Sequence, residues 1–173
     1  MSKVSIKPFK SKYIINRYIN WLNNPQINKY LQVRFKKQTF NTAYKYLKEV
    51  NKNKNLYMWG IFVKKKIYSL IGTGTLIHNP QKKEAVIGFM IGNKSYWGKK
   101  ESSDSFRLIY SYAFKKLFCK KVISNVERDN LASLFMNKKH NFRFLKKYNK
   151  IIKANKRIKI NIFKFELKKK DVL

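Results

Sequence analysis

Between Phe106 and Leu117 the apolar residues fall at Phe106, Ile109, Tyr110, Ala113, Phe114 and Leu117. That spacing is the 3.6-residue period of a helix with one wide buried face, and such a face needs a sheet or another helix to lie on. β-rich runs on both sides of the helix supply the sheet. Leu56 to Val63 and Ile67 to Ile77 are joined by Lys64-Lys65-Lys66 and read as a hairpin. Asn79-Pro80 turns the chain into a strand from Ala85 to Ile91, and Lys121 to Val126 follows the helix as the next one. At the start, Lys3 to Lys7 alternates as a half-buried strand until Pro8 stops it, and the tail from Phe142 to Leu167 reads as two more strands.

The remaining segments are helical. From Lys12, a stripe of Tyr13, Ile14, Tyr18, Trp21 and Leu22 predicts one helix. Asn24-Pro25 offers an N-cap and a first-turn proline for a second, which carries Ile27, Tyr30 and Leu31. Thr39 opens a third, with Ala43, Leu47 and Val50 on one face, and Asp129-Asn130 caps a helix around Leu134 and Phe135. Gly92 to Asp104 reads as a loop whose end is rich in N-cap residues. The order β, α, α, α, β, β, β, α, β, α, β, β predicts an α/β or α+β fold with a central mixed sheet. No repeat or Pro/Gly-rich hinge divides the 173 residues, so residues 1–173 read as a single domain.

The formal charge of +33 invites a nucleic-acid reading. The composition argues the other way. The chain holds 35 Lys, 18 Asn and 18 Ile against 6 Arg, 6 Gly, 5 Ala and 3 Pro, which contrasts A/T-rich codons with G/C-rich ones. Selection for phosphate binding favours arginine, whose planar fork grips phosphate in bidentate fashion. A solvated lysine surface is therefore preferred to a dedicated nucleic-acid face. The single Cys119 excludes an internal disulfide and a cysteine-based zinc cluster, and no apolar core of a signal peptide follows Met1. With no apolar run of the ~18–20 residues that cross a bilayer, the expectation is a cytoplasmic protein with no membrane span. No HExxH, Walker loop, CxxC or Ser/His/Asp pattern is present.

Several segments together carry a resemblance. They are Trp21-Leu-Asn-Asn-Pro-Gln-Ile-Asn-Lys-Tyr-Leu31 with Arg34 and Phe35, Ala85-Val-Ile-Gly-Phe-Met-Ile-Gly92, Tyr96-Trp-Gly-Lys99, Tyr112-Ala-Phe114, and Asn130-Leu-Ala-Ser133 running to Lys139 and Phe142. In that order they resemble the GNAT acyltransferase superfamily, and more closely its branch similar to ribosomal-protein N-terminal acetyltransferases. The resemblance implies one acyl-CoA N-acyltransferase domain over residues 1–173. Its sheet is mixed, mostly antiparallel, flanked by helices, and splayed between the fourth and fifth strands.

The resemblance also implies acetyl-CoA as acyl donor, with no metal. The pantetheine arm lies in the opening beside the strand of Phe89, Met90 and Ile91 and bonds to its backbone, facing the strand that contains Val126. The pyrophosphate is cradled by Gly98, Lys99, Lys100, Ser102 and Ser103 at a helix N-terminus, where unpaired N–H groups and the helix dipole favour an anion. The family has Gly at the place of Lys100 and Gly or Ala at that of Ser102. Lys100 lacks the backbone freedom of glycine, and its ammonium offsets part of that loss. Glu101 adds a negative charge to the same loop.

Acetyl transfer to an amine needs a neutral nucleophile, a donor for the oxyanion and a proton for the leaving thiolate. Asn137 stands where many GNATs have an acidic tyrosine. Ser133 falls on the serine that serves in the similar branch, and Asn130 bonds the pantetheine arm or caps the helix. Val86 occupies the place of that branch's glutamate base. His78 and Glu84 are candidates for the base, and His140 is a weaker one. On the acceptor side, Trp21 to Phe35 resembles GNATs of surface-sugar synthesis, which implies a nucleotide-linked amino sugar held partly by Arg34, with His78 nearby. A protein N-terminal amine remains an alternative acceptor, and an inactive basic scaffold that binds nucleic acid remains an alternative role. A homodimer stays open.

Overall fold

A proline cannot continue a ladder of hydrogen bonds, and β1 (Lys3–Pro8) ends on one. In the computed structural model, which describes residues 3–64, 67–153 and 157–172, seven strands form one sheet in the order β1-β2-β3-β4-β5-β7-β6. The other strands are β2 (Leu56–Lys64), β3 (Tyr68–Asn79), β4 (Glu84–Ile91), β5 (Lys121–Glu127), β6 (Arg143–Lys153) and β7 (Arg157–Lys168). β4 and β5 run parallel and the sheet is otherwise mostly antiparallel, which matches the mixed sheet expected from the element order and the mostly antiparallel one the resemblance implies. Lys65 and Lys66 of the anticipated hairpin turn lie outside the described residues, as do Met1 and Ser2.

Among the described residues the α-helices are α1 (Asn16–Asn23), α2 (Pro25–Asn28), α3 (Phe40–Lys52), α4 (Lys100–Lys115) and α5 (Leu131–Lys139). Local chemistry explains most of their ends. Asn24 Oδ1 accepts the Gln26 N–H at 2.9 Å ahead of Pro25. Thr39 and Thr42 exchange side-chain bonds with each other's backbone N–H in a capping box. Three boundaries differ from the sequence reading. α2 stops at Asn28, so Tyr30 and Leu31 lie beyond it. α1 begins at Asn16 rather than near Lys12, because Ile15 is extended, and β-branched residues resist entry into a helix. α4 begins at Lys100, so Lys100 to Asp104 are helical and do not form the end of a loop.

The chain divides into two compact units. One comprises Met1–Ile77 and Gly88–Ile109, the other His78–Ile87 and Tyr110–Leu173. In the first, α1 and α3 bury Tyr18, Trp21, Leu22 and Leu47 with Phe9, Phe62 and Met90. Its rings meet in tilted and edge-on pairs, such as Phe9 with Tyr18 at 5.0 Å. In the second, Ala85, Ala113, Phe114, Val122, Ile123 and Leu167 are buried. β4 runs through both units, and so does α4.

Candidate functional site

The first unit contains the end of β4 from Gly88, the following loop and α4 as far as Ile109. Among the described residues, the register of β4 with β5 covers Glu84↔Lys121 to Ile87↔Ser124 and goes no further, although β4 continues to Ile91. A Cβ built on Gly72 of β3 would lie 2.2 Å from the Met90 carbonyl oxygen, so that oxygen faces β3. Successive residues of a strand send their backbone groups to opposite sides. The backbone groups of Phe89 and Ile91 therefore point away from β3. Of the three residues read as the cofactor strand, Met90 turns inward and is buried, while Phe89 rests edge-on against Phe106 at 5.3 Å.

Beyond β4 the chain turns sharply. The Gly92 and Asn93 N–H groups both donate to the Ile71 carbonyl, at 2.9 and 3.0 Å. Asn93 Oδ1 accepts the Ser95 N–H at 3.1 Å over a 3₁₀ turn, Lys94–Tyr96, and Trp97 Nε1 donates back to the Ile91 carbonyl at 2.8 Å. Gly98 has φ of +69°, and a Cβ there would meet nothing within 4 Å. Left-handed conformation, not lack of space, is what asks for glycine. α4 starts two residues later.

The substitutions at Lys100 and Ser102 now have places. Lys100 is exposed at the first helical position, where N–H groups have no intrahelical acceptor. Ser102 is buried, and its hydroxyl donates to the Tyr96 carbonyl, tying the first turn of α4 to the loop. Gly or Ala could not make that bond. Ser103 is buried and its N–H donates to the Lys99 carbonyl at 3.4 Å. A pocket of about 340 Å³ opens here, lined by Asn93, Ser95, Tyr96, Lys99 and Glu101. Lys99 is the lysine that lines it, and Glu101 lines it too.

The segment from Trp21 to Phe35 reaches this loop. The Trp21 ring lies over Gly92, whose added Cβ would be 2.0 Å from Trp21 Cδ2, and Lys94 Nζ donates to Gln26 Oε1 of α2. Arg34 sits in a 3₁₀ turn, Gln32–Phe35, with its guanidinium 4.3 Å from the Phe35 ring centroid and Nη1 donating to the Leu31 carbonyl at 3.2 Å. Burial, and then the charge of Tyr46, pushes the Tyr18 phenol well above its usual range, so it remains protonated.

In the second unit, Asn130 caps α5, its Oδ1 accepting the Ser133 N–H at 3.1 Å. Ser133 is half-buried, and its carbonyl accepts from Asn137 Nδ2 at 2.8 Å. Asn137 is only 2% exposed and its Oδ1 has no hydrogen-bond partner. An amide at this place positions groups but supplies no proton. His78 is half-buried near the end of β3, Glu84 pairs with Lys121 at 3.2 Å, and Val86 lies opposite Ile123. His140 ends α5 with Nδ1 3.2 Å from the Tyr110 hydroxyl. The sequence gives no sign of that pair, because Tyr110 reads only as one member of a core stripe. Among the described residues, no group of three His, Cys, Asp or Glu is placed to hold a metal ion.

A strand with outward-facing backbone groups, followed by a tight loop and a helix N-terminus, is the framework of an acyl-CoA-dependent transferase. Residues 4–143 match the family model described as an acetyltransferase (GNAT) domain. The chain belongs to the GNAT acetyltransferase family, whose members are acetyl-CoA-dependent N-acetyltransferases.

Solved structures share the fold. One is a domain from Methanocaldococcus jannaschii DSM 2661, 19% identical, with a TM-score of 0.77 over 97% of this chain and 99% of that one. Another is a spermidine N-acetyltransferase from Vibrio cholerae in complex with CoA and spermine, 15% identical, with a TM-score of 0.81 over 98% of this chain and 97% of that one. A dodecameric form of a spermidine N-acetyltransferase from the same organism is 16% identical, with a TM-score of 0.76 over 98% and 96%. No curated protein matches the chain. Among the described residues, no helix is long and apolar enough to cross a membrane.

Proposed function

We propose that this protein transfers an acetyl group from acetyl-CoA to a primary amine on a phosphate-bearing molecule, in particular a nucleotide-linked amino sugar. The donor half of this reading rests on one observation: β4 ends in outward-facing backbone groups and leads through the Gly98 turn into α4. Phe89 and the Ile91 N–H offer an amide-rich arm the backbone bonds of an added strand, while the Ile91 carbonyl is shared with Trp97 Nε1. Gly98, Lys99, Lys100, Ser102 and Ser103 take the pyrophosphate at the N-terminus of α4. When bound, acetyl-CoA supplies the thioester carbonyl that the amine attacks.

The amine attacks the thioester carbonyl carbon, the C–N bond forms and the C–S bond breaks, and the leaving thiolate takes a proton from the Ser133 hydroxyl, which regains one from the group that accepts the amine proton. Asn130 holds the first turn of α5 and with it the Ser133 backbone. Glu84 is engaged by Lys121 and Val86 has no titratable group, which leaves water or His78 to take the amine proton. A sugar amine beside electron-withdrawing oxygens is less basic than a lysine and loses its proton more readily near neutral pH.

The acceptor half rests on charge. With 41 basic and 8 acidic residues the chain attracts a phosphate-bearing amine and repels a polycation. The Vibrio cholerae enzymes act on spermidine, and a polyamine is accordingly the chief rival. Arg34 contributes to acceptor phosphate binding. We place the enzyme in the cytoplasm, in keeping with its buried free Cys119.

The test has two stages. Calorimetric titration with acetyl-CoA should saturate, and an analogue without the pyrophosphate should bind much more weakly; equal binding of unrelated polyanions overturns the donor reading. CoA release is then followed with nucleotide-linked amino sugars, N-terminal peptides and polyamines side by side. A polyamine or peptide acetylated far faster than every sugar nucleotide overturns the acceptor assignment.

A further inference from the structure

The second unit carries a surface that the acetyltransferase reading does not use. β6 is an edge strand, and its described side chains from Arg143 to Ile151 are all exposed. Its pairing with β7 extends past the last β5 pair, Glu127↔Ile162, through Asn149↔Asn161 to Ile152↔Ile158. Partners in register share a face of the ribbon. One face thus carries Phe144 opposite Phe165, Lys147 opposite Phe163, Asn149 opposite Asn161, and Ile151 opposite Lys159.

The three phenylalanines form a cluster. Phe144 lies 5.6 Å from Phe163 and 5.7 Å from Phe165, both edge to face, and is itself 54% exposed. The rings line an open groove of about 790 Å³ between this face and α5. No acidic residue occurs from position 130 to 165, a stretch with eleven Lys and Arg. Asp171, at the groove, is engaged by Arg143 at 3.5 Å.

From these features we infer that the β6–β7 face binds single-stranded RNA. Base stacking on aromatic rings of an open sheet, with cations along the phosphate path, is the physical basis of single-strand recognition. Phe144 and its two neighbours provide the stacking surface, Lys147 and Lys159 meet phosphates, and the paired Asn149 and Asn161 amides are placed to bond to base edges. Lysine abundance by itself carries no such inference, since lysines cover the whole chain. The cluster of three rings among them does.

Charge also selects against other occupants. Two copies of this face would bring cations together without an acid from positions 130 to 165 to meet them, so self-association is disfavoured. An anionic membrane would satisfy the lysines, but Phe163 and Phe165 are half-buried in the groove and cannot insert among lipid chains. A flat base can reach rings that are recessed in this way.

Fluorescence anisotropy with a short labelled single-stranded RNA tests the inference. A duplex of the same sequence and phosphatidylserine-containing vesicles serve as competitors. The single strand should bind saturably and more tightly than the duplex. Phe144→Leu keeps an apolar side chain but loses stacking, and should weaken binding by about 5- to 150-fold, while Phe144→Tyr retains it. Replacing Lys147 and Lys159 with Gln should reduce the salt slope by roughly 1.4. Equal affinity for duplex, or Phe144→Leu binding like the parent, overturns the inference and leaves only charge attraction. Vesicle binding without RNA binding overturns it in favour of a membrane surface. A stable dimer in sedimentation that Phe144→Leu dissociates overturns it in favour of a second copy.

Discussion

Gly92→Ala tests how α1 and the loop between β4 and α4 are joined. The added Cβ would sit 2.0 Å from Trp21 Cδ2, 2.2 Å from Cε3 and 2.5 Å from Cγ. These atoms belong to a rigid indole that is itself buried, so no flexible side-chain end can swing away. Either Trp21 leaves its rotamer or the Gly92 backbone moves, and overpacking of this kind costs about 1–3 kcal/mol. For a chain of this length, that lowers Tm by roughly 2–12 °C.

Gly92 and Asn93 also share the Ile71 carbonyl, so backbone movement would disturb the start of the loop as well. Urea denaturation of Gly92→Ala, Trp21→Leu and the double variant measures the coupling. In the Trp21→Leu background the ring is gone, and the cost of the extra methyl should fall by about 1 kcal/mol or more. A Gly92→Ala protein as stable as the parent would refute the reasoning, and strictly additive losses would show that the clash lies elsewhere.

Ser133→Ala should lower turnover by roughly 10²–10⁴-fold with acetyl-CoA affinity unchanged; unaltered turnover in a folded variant removes Ser133 from the chemistry. Ser102→Ala breaks the bond to the Tyr96 carbonyl and should cost about 0.5–1.5 kcal/mol in denaturation, with weaker acetyl-CoA binding measured by calorimetry. Lys99→Gln should reduce both acetyl-CoA affinity and its salt dependence more than Lys100→Gln does, because Lys99 lines the loop pocket; the reverse order would assign the phosphates to Lys100. Burial, and then the Glu84 charge, pushes the Cys119 thiol from 9.0 up to about 11. The neutral thiol is the form that the fold favours, so its contribution is complete below pH 9 and is lost as the pH rises towards 11. Urea midpoints of the parent should therefore fall more steeply across that window than those of Cys119→Ala, and parallel curves would contradict it.

Features whose partners lie within a few residues are legible in the sequence alone. The Asn24 and Thr39 caps, the Pro25 start, the Asn130 cap over Ser133 and the α4 stripe all follow from short-range hydrogen bonds or from helical period. They place the sheet, the loop between β4 and α4, and Ser133 in the chain. The start of α4 is less legible, because Ser102, Ser103 and Asp104 are good N-caps by type. The left-handed Gly98 turn instead lets Lys100 begin the helix, and Ser102 turns its hydroxyl back to Tyr96. The other decisions are tertiary. Trp21 reads as one more core residue in the sequence, yet its ring lies over Gly92, 71 positions away. Tyr110 meets His140 across 30 positions, Asn137 is buried with an unsatisfied oxygen, and Phe144 joins Phe163 and Phe165 only through the β6–β7 register. Local propensity cannot specify these contacts, because each depends on strands and helices brought together by folding.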